Sequence, residues 1–207
     1  MRYINTGLLA TLLFFSIDGY SIEITPIAGL RAGGDFTDET NNKKHTIVES
    51  EFYGLILSFP HEYGKTIDIY YSHQSSKLRS VSLSLPSTSF PTDDIDLPLT
   101  IDYLHVGGTT PIEQYENMKT YVSGGLGFTY LNPDLGGLDS DIRPSFSIGI
   151  GMKWPITDNI ALRLETRGLA TMFNNDTSVF CSGGCALEIK GEFFVQGEAF
   201  AGLAIRF

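Results

Sequence analysis

Residues 193 to 207 (FFVQGEAFAGLAIRF) constrain the fold more than any other stretch of the chain. Val195, Gly197, Ala199, Ala201, Leu203, Ile205 and Phe207 share one parity, and Phe194, Gln196, Glu198, Phe200, Gly202, Ala204 and Arg206 the other. A period of two is that of a strand, whose successive side chains leave opposite faces. One face here is small or apolar; the other carries the amide and the charges. A strand built this way fits between lipid and a wet interior.

The alternation recurs. Strands are expected at about residues 21–34, 46–59, 65–74, 97–108, 119–131, 142–155, 159–173 and 190–207. Links after the second, fourth and sixth are short: 60–64, a turn from Pro111 to Met118, and 156–158. The others are longer and polar. Short turns at one end and long loops at the other predict an all-β fold: an eight-stranded antiparallel transmembrane β-barrel with periplasmic turns and extracellular loops. In the sixth strand Phe146, Ile148, Ile150, Met152 and Trp154 alternate with Ser145, Ser147, Gly149, Gly151 and Lys153. In the fifth, Val122, Gly124, Leu126, Phe128 and Tyr130 point outward, and Tyr121, Ser123, Gly125, Gly127 and Thr129 inward. A soluble sandwich also alternates, but the glycines and scattered charges on the inward face suit a narrow lumen. Pro60, Pro111, Pro144 and Pro155 fall at strand ends and Pro86, Pro91 and Pro98 in a loop. Pro26, inside the first strand, should remove a ladder hydrogen bond and mark a bulge.

The first residues read as a secretory leader: Arg2, an apolar run over Leu8 to Phe15, and a small-x-small site at Gly19-Tyr20-Ser21. The run is about half the length of a spanning helix. Cleavage after Ser21 leaves residues 22–207 as one barrel domain. Net charge is −10, which excludes nucleic acid as a natural partner. Mean hydropathy of +0.02 leaves no helical membrane protein to consider. Cys181 and Cys185 are the only cysteines, and an exported chain meets an oxidising compartment, so a disulfide across Ser-Gly-Gly is expected.

The inward parity collects balanced charges: Glu23, Asp68, Asp102, Glu165 and Glu198 against Arg31, Lys153, Arg163, Arg167 and Arg206. Charges withdrawn from water must be paired or hydrated. The expectation is a salt-bridged plug, with an ion or proton path as the rival.

The glycine-rich strands 121–130 and 146–154, the Ile156-Thr157-Asp158-Asn159 turn and the terminal Ala204-Ile205-Arg206-Phe207 resemble the small OmpA/OmpX-type outer-membrane barrels, opacity-type adhesins included. The resemblance extends over residues 22–207 in architecture. It implies a scaffold whose outer loops recognise an unidentified extracellular ligand, in the outer membrane of a Gram-negative bacterium. The expected partners are outer-membrane lipid, lipopolysaccharide and, during biogenesis, the barrel-assembly machinery; the expected state is a monomer. The terminal aromatic resembles the assembly signal of such barrels, with Leu203, Ile205 and Phe207 on its outward face. No peptidoglycan-binding domain follows in this sequence, so no anchoring role is implied.

Three further features bear on chemistry. The link from Ser75 to Asp96 is long, and Val81, Leu83 and Leu85 keep the outward parity of Ile67, Ile69 and Tyr71. It reads either as a strand protruding beyond the bilayer or as a serine-rich loop. Asp93, Asp94, Asp96, Asp134, Asp139 and Asp141 make the outer loops acidic without metal-ligand spacing, and Lys77 and Arg79 stand where lipid phosphates would lie. Ser72, His73, Ser75, Ser76 and Asp68 supply a serine, histidine and acid. His73 and Asp68 differ in parity and cannot easily share a hydrogen bond within one strand. The expectation is therefore a surface scaffold for binding, adhesion or envelope integrity, without enzyme activity, cofactor or metal. A small-solute or ion channel is the alternative. A lipid A-modifying hydrolase is a more distant one, requiring a serine and histidine to converge at the outer rim.

Overall fold

A computed structural model describes residues 21–37, 44–83, 92–115, 118–133, 139–173, 178–181, 185–188 and 193–207. All but the last residue of the expected leader, together with Leu85, Pro86, Pro91 and Asp134, lie outside the described residues. The strands in chain order are β1 (Glu23–Gly33), β2 (Asp35–Thr37), β3 (Lys44–Ile47), β4 (Ser50–Pro60), β5 (Thr66–Leu83) and β6 (Thr92–Tyr115). They continue with β7 (Met118–Pro133), β8 (Asp141–Pro155), β9 (Ile160–Met172), β10 (Ser178–Cys181), β11 (Cys185–Glu188) and β12 (Phe193–Arg206).

Eight of these close a ring. Pairing runs β1-β4-β5-β6-β7-β8-β9-β12, and β12 returns to β1 with Glu23 opposite Arg206 and Arg31 opposite Glu198. Every pairing in the ring is antiparallel. Closure satisfies the ladder all the way round, which is what lets strands cross lipid. β2 and β3 form a small ribbon beside the outer end of β5, and β10 pairs with β11.

The expected parity holds in β12. Phe194, Gln196, Glu198, Phe200, Gly202 and Ala204 are buried, while Val195, Gly197, Ala199, Ala201 and Leu203 are exposed. Inward glycines give large neighbours their room: a Cβ at Gly151 would meet the Tyr121 hydroxyl at 2.4 Å, and one at Gly127 the Leu104 carbonyl at 1.9 Å. At the periplasmic end, Tyr63 and Gly64 take positive φ in the 60–65 turn. In the 156–159 turn, Thr157 Oγ1 accepts from the Ile160 N–H at 3.1 Å. The Phe207 N–H donates to the Ile22 carbonyl at 3.0 Å, joining β12 to the start of β1 at the periplasmic mouth.

Several expectations shift. β6 runs from Thr92 to Tyr115, so Pro98 and Pro111 lie within a strand; Pro98 faces Lys77 and Pro111 borders a bulge before Glu113. The turn from Pro111 to Met118 is correspondingly tighter. Pro26 causes no bulge. The β1–β12 register is the same on both sides of it, at Ile24↔Ile205 and Ile27↔Gly202, with the ladder skipping Thr25 and Pro26. β5 continues to Leu83 and pairs with β6 as far as Thr92, with irregular register after Leu78. The protruding-strand reading is the one realised, at least to Leu83.

Candidate functional site

Along β6 the polarity of the two faces inverts. From Tyr103 toward the periplasm the inward residues Tyr103, His105 and Thr109 are buried, while Leu104 and Val106 face out, 51% and 57% exposed. Further up, Leu97, Leu99 and Ile101 are the buried ones and Asp96 and Pro98 are exposed. β5 behaves alike: Ile67 and Tyr71 face out below, Ser75, Lys77 and Arg79 above, while Leu78 is buried. A strand apolar outside is solvated by lipid; one apolar inside is solvated by water. The change falls near Asp102 and marks the outer rim of the membrane.

Below that level the lumen holds the charges. Glu165 accepts from Arg163 at 2.7 and 3.1 Å, Arg167 at 2.6 and 3.0 Å, Ser123 at 2.6 Å and Tyr121 at 2.9 Å. Arg31 donates to Glu198 at 2.7 and 3.0 Å and to Ser72 at 2.6 Å, and lies 4.4 Å from the Phe52 ring centroid. Tyr70 donates to the other Glu198 oxygen at 2.7 Å. Asp68 lies 3.5 Å from Arg163, and Lys153 donates to Glu23 at 2.5 Å. Arg31 and Arg163 are wholly buried, at 0% exposure. Arg206 is at the periplasmic mouth, 3.7 Å from Glu23 and half exposed, rather than within the lumen. Glu23, Lys153, Tyr121 and Arg206 line a cleft of about 240 Å³ at that mouth.

Above the charges the lumen holds a buried apolar layer not anticipated from the sequence. Ile47, Leu78, Leu97, Leu99, Ile101, Leu131, Leu169, Phe173 and Phe194 form one buried cluster with Phe52 and Tyr103. The signal was present in the inversion along β6, where leucines take the inward parity just as the outward residues turn polar.

Asp102 is a correction. It does not belong to the lumen: it shares parity with Leu104 and Val106 and projects outward, partly exposed. It meets His73 from β5, its direct cross-strand neighbour, with Nδ1 2.7 Å from Asp102 Oδ1. Ser75 Oγ lies 3.4 Å from His73 Nε2. The Tyr71 hydroxyl donates to Asp102 Oδ1 at 3.1 Å, and the Tyr53 ring packs against the imidazole at 5.1 Å. The other candidates turn inward: Ser72 is held by Arg31, and Ser76 donates to the Val48 carbonyl at 2.5 Å. The parity objection to a serine, histidine and acid applied to Asp68. It does not apply to Asp102, which reaches His73 across the ladder.

Leu203 is exposed, Ile205 half-buried and Phe207 exposed at the end of β12. Cys181 stands opposite Cys185 in the β10–β11 register; their side chains lie outside the described part of the structure. Lys77, Arg79, Asp96 and Asp139 are exposed, and Asp141 is paired with Arg143 at 2.6 Å. The Asp93 and Asp94 side chains also lie outside the described part.

A solved structure shares this architecture. Neisserial surface protein A aligns over 92% of this chain and 100% of its own, at 15% identity and a TM-score of 0.54. The N-terminal β-barrel domain of Pseudomonas aeruginosa OprF aligns over 90% and 97%, at 15% identity and 0.49. The chain has the fold of the small outer-membrane β-barrels. Ail, the attachment invasion locus protein of Yersinia pestis, aligns over 91% of this chain and 99% of its own at 14% identity and 0.44. No family model matches the sequence, and no curated relative matches it. The outward apolar band, from Leu203 and Ile160 at the periplasmic end to Tyr53 and Phe193 at the other, places this barrel in the outer membrane.

Proposed function

We propose that this protein is a non-conducting surface scaffold of the outer membrane, its barrel a rigid support for outer loops that bind or adhere, or that maintain the envelope. The observation that carries this is the pair of layers in the lumen, the buried Arg163–Glu165–Arg167 network and the apolar cluster above it. A permeating ion would have to break the Arg163–Glu165–Arg167 contacts and then pass an apolar layer, and neither step is compensated. Planar-bilayer recording of the purified protein tests it: no unitary conductance is expected, and steady open events would overturn the reading in favour of a channel.

The chain is exported by a leader cleaved after Ser21, and Leu203, Ile205 and Phe207 present the outward face recognised during assembly. Lys77 and Arg79, exposed on β5 above the rim, suit the phosphates of lipopolysaccharide. The barrel acts as a monomer without a cofactor. Cys181 and Cys185 form a disulfide that shapes the outer loop; their cross-strand register supports it. The loop it closes is small, so its loss costs about 2 kcal/mol or less. Cys181→Ser should leave folding intact, and two free thiols in protein alkylated without reduction would end the idea.

A further inference from the structure

We propose that Ser75, His73 and Asp102 form a catalytic triad on the outer wall of the barrel that hydrolyses the fatty acyl esters of outer-leaflet lipids.

The roles follow from the hydrogen bonds. Asp102 Oδ1, 2.7 Å from His73 Nδ1, holds the proton on that nitrogen and leaves Nε2 as the base. Nε2 faces Ser75 Oγ at 3.4 Å, a separation that tightens when substrate is bound. Tyr71 and Tyr53 fix the carboxylate and the ring. All three members are on adjacent strands of a closed sheet, two of them on β5 at i and i+2, so the ladder itself sets their spacing.

Position names the substrate. The outward row Tyr53–His73–Asp102–Tyr130 stands directly above the rows Leu55–Tyr71–Leu104–Phe128 and Leu57–Ile69–Val106–Leu126. Above it comes Ser75–Thr100–Asn132. The triad therefore straddles the step from apolar to polar, flanked by tyrosines, the depth at which the ester groups of a lipid meet water. A molecule reaching it must lie against the barrel wall with its acyl chain along Leu104 and Val106 and its headgroup toward Lys77. An ionisable pair at this depth, facing lipid instead of the lumen, has no packing role that a leucine pair would not fill equally well.

In the reaction Ser75 Oγ attacks the ester carbonyl carbon while its proton passes to His73 Nε2. The oxyanion collapses, the ester C–O bond breaks, and the headgroup oxygen leaves as an alcohol carrying that proton. Water, deprotonated by the same nitrogen, then attacks the acyl-serine carbonyl; the bond to Ser75 Oγ breaks, that oxygen takes the proton back from Nε2, and the fatty acid is released. Lys77, next on this face after Ser75, is an exposed cation beside the nucleophile's strand position.

The test uses full-length protein refolded to its compact, heat-modifiable form. It is incubated with vesicles of lipopolysaccharide and, separately, of glycerophospholipid, and released fatty acid is measured by mass spectrometry. A fluorophosphonate probe reports the nucleophile. Release from either vesicle is expected, and which one responds identifies the lipid. The probe should mark Ser75 alone, and Ser76→Ala should be marked as well as the parent. Ser75→Ala and His73→Ala should lose release at least a hundredfold while keeping the compact band. Absence of release from both vesicles by folded protein overturns the proposal, whatever the probe does. Release that persists in Ser75→Ala overturns it too.

Discussion

Glu165 on β9 and Asp102 on β6 are carboxylates of one barrel, each bonded to a basic side chain and a tyrosine. Glu165 faces in. Two arginines, a serine and a tyrosine saturate its oxygens, and its side chain has no exposure. Asp102 faces out at the rim, where it meets His73 and the Tyr71 hydroxyl through one oxygen and keeps about a fifth of its side-chain surface open. A saturated, buried carboxylate is fixed in one arrangement and cannot take part in chemistry without losing the desolvation already compensated. A carboxylate that keeps open surface and a single basic partner is free to tune that base. The same pairing of acid with base thus yields a structural strut inside and a proposed reactive group outside.

The difference should be largest on removal of the inner acid. Glu165→Ala leaves Arg163 and Arg167 buried and short of a counter-charge, which should destabilise the barrel by about 3–5 kcal/mol. Urea unfolding of vesicle-inserted protein measures it, and a loss below about 1 kcal/mol would mean that the network does not hold the lumen together. Tyr121→Phe is a finer probe of the same cluster. It keeps the ring beside Arg163 and removes one hydrogen bond to a charged acceptor, an expected loss of about 1.5 kcal/mol in the same assay. Asp102→Asn should be the mildest, at about 0.2–1 kcal/mol, because exposed pairs contribute little. A loss approaching that of Glu165→Ala would make Asp102 a strut after all and erase the contrast.

Much of the barrel was legible in the chain. A transmembrane strand has lipid on one side throughout, so period-two patterns in residues 119–131, 142–155 and 193–207 specify both the strand and its orientation. β7, β8 and β12 match them closely. Arg31, Arg163, Glu165, Arg167 and Glu198 share the inward parity of their strands and are buried in the structure. Asp102 departs from this pattern: it shares its parity with Leu104 and Val106, and that parity, not its charge, decides which face it takes. The apolar layer was missed because beyond the rim water replaces lipid and the rule for which face is apolar reverses.

By itself the sequence determined the alternation, the closing strand and the charge balance, all of which depend on residue type and a two-residue period. What the tertiary structure decided was partnership. Asp102 and His73 are 29 positions apart in sequence, and only the antiparallel β5–β6 register makes them direct neighbours. Likewise Arg31 finds Glu198 only because β1 and β12 close the ring. Parity is a local property that a strand carries with it; register is set by turns and ring closure, and no single strand contains it.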